Sequence, residues 1–202
     1  MFGYKAFNDD LTCKRFQYEI GKTYEMIGTP KCCFRGFHFC RNLDECFNYY
    51  YFGSRICRVE SLGLLDTEDE EKFCTNKIKI LEELSFEEIC DTIGISTTIG
   101  RKLIKSFELS KEFYGKECTL LYSCYGTNNY DLSFFWYINY NYKRVNKKTI
   151  GARLSKDFER IEFFRWNDFS RVLFVCNDEE IYQVSNLMKE DLEWFEYLRD
   201  NL

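Results

Sequence analysis

The chain has 202 residues, 45% of them apolar, 30% charged and 19% aromatic, with a net charge of −5. That composition argues for a globular rather than a disordered chain. The acidic balance argues against general affinity for phosphate backbones or anionic membranes, and no run approaches the ~20 apolar residues that span a bilayer.

In chain order, Phe2–Phe7 reads as a strand closed by the turn signal Asn8-Asp9-Asp10. Residues 16–20 alternate apolar and polar with a period of two. Gly21-Lys22 then leads into residues 23–26, which predicts a hairpin. Phe37–Cys40 reads as a short apolar strand. Asn42 is placed to cap a helix to about Tyr50, with Leu43, Cys46, Phe47 and Tyr50 on one face. Residues 56–62 and 73–81 read as strands, and the acidic stretch 66–71 between them as a solvated loop. Ser85 and Glu88 form a capping box at the start of a helix that Gly94 ends. Ser96 or Thr97 opens a second helix to about Leu109.

Residues 117–125 and 131–142 read as strands around the turn signal 126–129. The stretch 134–138 is apolar on both faces, which predicts a central strand. Residues 160–166, 171–176 and 180–184 read as further strands. An amphipathic helix over 187–198 directs Leu187, Leu192, Phe195 and Leu198 inward. The fold class is α+β: an N-terminal domain over 1–84, a helical connector over 85–112, and an antiparallel sheet with a helix over 113–202, separate or fused into one unit.

There are eleven cysteines, and no secretory leader pattern opens the chain. The expectation is reduced, mostly buried thiols in a cytoplasmic protein. Cys32, Cys33, His38 and Cys40 crowd nine residues, with Cys13 and Cys46 nearby. Zinc sites are usually delivered as C-x-x-C knuckles, and none occurs, so this spacing predicts no metal site. His38 is the single histidine, so any thiol–imidazole pair must use it, yet no motif singles out a cysteine. Glycine-rich phosphate loops are absent. Residues 86–103 resemble a helix-turn-helix. Cys90 is small at the helix contact, Gly94 and Ile95 stand at the turn, and Arg101, Lys102 and Lys105 are candidate nucleic-acid contacts. Gly100 departs from that pattern and the chain is acidic, so a plain helical hairpin joining two sheets is the simpler reading.

Several motifs together resemble an uncharacterised domain family of phages, prophages and their bacterial hosts. They are Gly3-Tyr-Lys-Ala-Phe7, Phe16-Gln-Tyr-Glu-Ile-Gly-Lys-Thr-Tyr24, Cys33-Phe-Arg-Gly-Phe-His-Phe-Cys40, Phe47-Asn-Tyr-Tyr50, Arg58-Val-Glu60 and Thr75-Asn-Lys-Ile-Lys-Ile80. The resemblance covers about the first 90 residues and implies a phage or mobile-element context. The order Tyr4-Lys5, Gly36-Phe-His-Phe39, Asn48-Tyr-Tyr50 and Val59-Glu-Ser-Leu-Gly63 is also similar to ADP-ribosyltransferase folds. That likeness implies a nicotinamide dinucleotide (NAD) gripped near Lys5, His38, Tyr49 and Tyr50. The catalytic carboxylate of such folds would fall near Thr75-Asn76-Lys77, where none stands, so the likeness implies the fold without the transfer reaction.

The leading expectation is a protein without cofactor or catalysis that binds a host protein or complex. In its most specific form it inhibits a host defence complex, as anti-CRISPR proteins do. Tyr51, Tyr137, Tyr140 and Tyr142 are the interface candidates, because aromatic rings anchor interfaces. The alternatives are an NAD-using transferase-like enzyme and a DNA-binding protein. A membrane partner is not expected.

Overall fold

The computed structural model describes residues 1–67, 71–114, 118–121, 133–138, 150–155, 159–165 and 168–202. The chain divides into two compact units, Met1–Ile93 and Gly94–Leu202. Both carry strands and helix, as the α+β reading expects.

The first unit holds strands β1 (Phe2–Phe7), β2 (Thr12–Cys13), β3 (Phe16–Gln17), β4 (Thr23–Glu25), β5 (Phe37–Cys40), β6 (Arg55–Ser61), β7 (Leu65–Thr67), β8 (Lys72–Thr75) and β9 (Lys77–Glu83), then helix α1 (Phe86–Ile93). Among the described residues, seven of these strands form one sheet in the order β4-β9-β6-β1-β5-β8-β7. Every neighbouring pair is antiparallel. The central position of β1 follows from its residues: Ala6 and Phe7 are fully buried, and Phe7 joins Tyr18, Phe39, Cys57, Val59, Ile78 and Ile80 in the core. Each such side chain contributes roughly 1.5–3 kcal/mol by leaving water. Gly3 lets β1 lie against β5, because a Cβ there would overlap the Cys40 carbonyl oxygen.

Four local readings are corrected. The hairpin is not 16–20 with 23–26. Cys13 stands opposite Phe16, with Lys14-Arg15 as a two-residue turn, while β4 pairs with β9 instead. Both turn residues have positive φ, 48° and 67°, as a type I′ turn requires. The stretch 73–81 is two strands rather than one. At the break Ser61 Oγ donates to Thr75 Oγ1 at 2.9 Å, which in turn accepts the Lys77 amide at 3.2 Å. Asn76 Oδ1 accepts the Leu64 amide at 2.8 Å. These side-chain bonds replace the ladder, so β8 and β9 leave for opposite halves of the sheet. The acidic stretch also contributes β7, which the sequence reading had as loop. The helix expected from Asn42 to Tyr50 is a short 3-10 segment, Asp44–Asn48. Asn42 does not cap it through its own oxygen; its amide and Nδ2 donate to Glu45 at 2.8 and 2.6 Å.

The capping box stands as read: Glu88 accepts the Ser85 amide at 2.8 Å and donates its own amide to Ser85 Oγ at 3.2 Å. Gly94 ends α1 at φ +81°.

Arg55 and Glu83 make a bidentate pair at 2.7 and 2.6 Å between β6 and β9. The Arg55 hydrogen bond holds the Glu83 carboxyl below its ordinary value of 4.5. Its folded pKa is depressed, so its stabilisation is full above the unfolded value and is lost as pH falls through the lowered one. Glu83→Gln is expected to cost about 0.5–1 kcal/mol at neutral pH and progressively less as the Glu83 carboxyl becomes protonated in both the folded and the unfolded state. Urea melts at pH 7 and pH 3 check this; an equal loss at both would refute it.

The second unit holds α2 (Thr97–Tyr114), β10 (Cys118–Leu121), β11 (Ser133–Ile138), β12 (Ile150–Leu154), β13 (Ile161–Arg165), β14 (Asp168–Cys176), β15 (Ile181–Gln183) and α3 (Lys189–Asn201). The strands form an antiparallel meander in sequence order, so β11 is flanked on both sides as its apolar run predicts. β12 escaped the sequence reading, and the turn predicted at 126–129 lies outside the described residues. Ser96 Oγ accepts the Ile99 amide at 3.1 Å and opens α2.

In α3 the buried stripe is Asp191, Trp194, Phe195 and Leu198, the i, i+3, i+4, i+7 set. Leu192, expected inward, lies one step off that stripe and is exposed. Trp194 packs on Phe163 and Phe174, with ring centroids 5.5 and 4.8 Å away. Among the described residues, no helix is long and apolar enough to cross a membrane.

Candidate functional site

A pocket of about 460 Å³ opens in the first unit. It is walled by β1, the β2–β3 hairpin, β5, the residues just after the 3-10 segment, and the start of β8. Lys5, His38, Tyr49 and Tyr50 all line it, so the fold gathers the four residues singled out by the transferase likeness.

Lys5 sits at its base. Strand alternation turns the side chain inward from the middle of β1, and only 4% of the residue remains exposed. The ammonium donates to the His38 carbonyl oxygen at 2.8 Å and to Cys13 Sγ at 3.5 Å. It lies 5.4 Å from the Phe7 ring centre and 5.2 Å from that of Tyr18. Among the described residues, no carboxylate forms an ion pair with it. Tyr50 donates its hydroxyl to the same Cys13 sulfur at 3.1 Å.

His38 enters from β5 and is half-buried. Its Nε2 accepts the Cys33 amide at 3.0 Å. Burial, then the charges of Lys5, Lys14 and Lys72, push the imidazole down to about 4. It is neutral at physiological pH, an acceptor rather than a cation. Lys72 stands over the Tyr49 ring at 5.1 Å, and its hydrogen bond with the Cys33 thiol favours its charged form. Burial pushes the Tyr18 hydroxyl well up, so it stays a neutral phenol.

The wall is therefore aromatic and cationic: Lys5, Lys14 and Lys72 line it, and among the described residues no Asp or Glu does. Lys14 and Lys72 were missed by sequence reasoning, which noted Cys13 only as a neighbour of the cysteine cluster. They reach the pocket through a tight turn and a cross-strand pairing that no spacing rule connects to His38. At 75–77, where the likeness would place a carboxylate, Thr75 is buried and bonded to Ser61.

The other candidates lie elsewhere. Tyr51 is 36% exposed and its hydroxyl reaches Asp9 at 3.4 Å. Tyr137 belongs to β11, while Tyr140 and Tyr142 lie outside the described residues. Arg101 and Lys105 are exposed on α2, but Lys102 is tied to the carbonyls of Asn177 and Asp178 at 2.8 and 3.0 Å. The helices read as a helix-turn-helix, α1 and α2, fall in different compact units.

No curated protein and no solved structure matches the chain. Residues 1–92 match the family model described as Domain of unknown function (DUF7666), a stretch that contains every residue lining the pocket.

Proposed function

We propose that residues 1–92 are a binding domain for an anionic, ring-bearing small molecule of the nucleotide class. The observation that carries this reading is the pocket wall, which among the described residues has three lysines, no carboxylate and several aromatic faces. A buried ammonium without a carboxylate partner is costly unless something else supplies negative charge. Among the described residues Lys5 meets a carbonyl, a thiol and two ring faces. A phosphate near Lys5 and Lys72 supplies the charge, and a base or nicotinamide ring packs on Tyr49, Phe16 or Phe37. The neutral His38 adds no competing cation.

The transferase likeness makes NAD the first ligand to try. Among the described residues no lining carboxylate stands ready to stabilise an oxocarbenium-like centre. The proposed role is therefore recognition or sequestration of the ligand rather than group transfer. A thermal-shift screen over mono- and dinucleotides tests it. A ligand at 100 times its dissociation constant is expected to stabilise the domain by about 2.7 kcal/mol. No shift with any phosphate-bearing nucleotide at millimolar concentration would overturn the reading.

A second reading is attachment to a macromolecular partner, in its sharpest form a host defence complex. It is favoured by Ile27 and Phe34, which are 92% and 79% exposed. Apolar side chains held that far into water suit an interface anchor. Loss of a stoichiometric partner on the double change Ile27→Ser, Phe34→Ser would support it; unchanged capture would count against it.

A further inference from the structure

We propose that Cys32, His38 and Cys74 form a binding site for a zinc-class divalent ion. Their ligand atoms lie within 4.8 Å of one another. Two thiolates and one imidazole are the soft and borderline donors that such an ion selects over calcium or magnesium.

The cluster is constructed by the sheet. Asp66 on β7 pairs with Cys74 on β8, which pairs with His38 on β5. Direct cross-strand partners project from the same face, so the three residues form a row across adjacent strands. Cys32 closes over the row from a small loop that is pinned by the Lys31–Arg35 bridge, with backbone bonds of 2.7 and 2.8 Å. Asp66 Oδ2 accepts the Cys32 amide at 2.7 Å and so orients that loop, the part a carboxylate behind a ligand usually plays. Gly36 leaves the space that the cluster needs. A Cβ there would come within 3.3 Å of Cys74 Sγ, and φ is +135°.

Cys32 and Cys74 are fully buried and neither is in a disulfide. The soft donors therefore face each other away from bulk water. On loading, each thiol gives its proton to solvent as its sulfur binds the ion. His38 exchanges a hydrogen bond for a metal–nitrogen bond, and an oxygen from water or Asp66 takes the fourth place. The local spacing C-C…H-x-C gives no hint of this site, because the decisive third donor lies 36 positions beyond His38. The site adjoins the proposed ligand pocket and shares His38 with it, while Cys32 and Cys74 do not line that pocket.

The test uses the full chain, reduced and stripped by a chelator, and titrated with zinc and with cobalt(II). The expected result is one equivalent per chain. Cobalt should give the intense visible bands of a tetrahedral site with thiolate charge transfer. X-ray absorption of the zinc-loaded wild type should show two sulfurs at about 2.3 Å and two lighter atoms at about 2.0–2.1 Å. Cys74→Ser and Cys32→Ser should weaken zinc at least about 100-fold with unchanged circular dichroism, while Cys13→Ser, in the pocket, should bind as the wild type does. No stoichiometric uptake, an octahedral cobalt spectrum, a four-sulfur shell, or full affinity in Cys74→Ser would each overturn the proposal. The wild-type absorption measurement decides even if a variant fails to fold. Nucleotide binding surviving in Cys74→Ser separates this result from the fate of the pocket reading.

Discussion

Lys5→Met is expected to raise the stability of the first unit by about 1–2 kcal/mol and to weaken an anionic pocket ligand by about 10–100-fold in the same variant. Methionine has nearly the length and apolar body of lysine, so the space between Phe7 and Tyr18 stays filled. What disappears is the ammonium of a residue that is 4% exposed, with no carboxylate beside it among the described residues. Its two hydrogen bonds and two ring contacts return only part of the lost hydration. The stability gain corresponds to a rise in melting temperature of roughly 4–16 °C for a domain of this size. A fall in melting temperature would mean that the carbonyl, thiol and ring contacts already satisfy the charge. The main reason to expect an anion would then be gone. Stability gained together with affinity lost is the pattern of a residue kept for binding rather than for folding.

Trp194→Ala is expected to cost the second unit about 3–5 kcal/mol. The indole is 1% exposed and bridges the sheet to α3 through Phe163 and Phe174. Those two rings already stack at 4.7 Å, so they cannot close over the vacancy without giving up their own contact. Trp194→Phe refills most of the volume and should lose less than half as much. Guanidinium melts followed by far-ultraviolet circular dichroism distinguish the two. Equal losses for Ala and Phe would show that the six-membered part of the indole contributes little packing.

Periodicity made most elements legible. The capping box at Ser85, the stop at Gly94 and the apolar run of β11 each follow from local chemistry. Illegible features were those decided by distant partners. The continuous apolar pattern over 73–81 hides a strand break, because that break is fixed by Ser61 and Leu64, more than ten residues away. The same holds for the pocket. Lys5, His38, Tyr49 and Tyr50 were reachable through a likeness to a known fold. Lys14 and Lys72 were not, since a surface lysine and a pocket lysine look the same in sequence. In α3 Phe195 and Leu198 face inward as expected, but Leu192 does not: hydrophobicity favours it over the Asp191 that the fold buries instead.

The turn between β2 and β3 carries a last consequence. Lys14 and Arg15 occupy left-handed backbone positions that asparagine and glycine fill with less strain, a difference of roughly 1 kcal/mol per residue. Selection for folding alone would drift these positions toward Asn-Gly, and Lys14 would vanish from the pocket wall. The dipeptide at this turn is thus a gauge that can be read without any structure. Under the proposed function, relatives that keep a basic residue here are expected to keep the ligand, and those with Asn-Gly to have lost it.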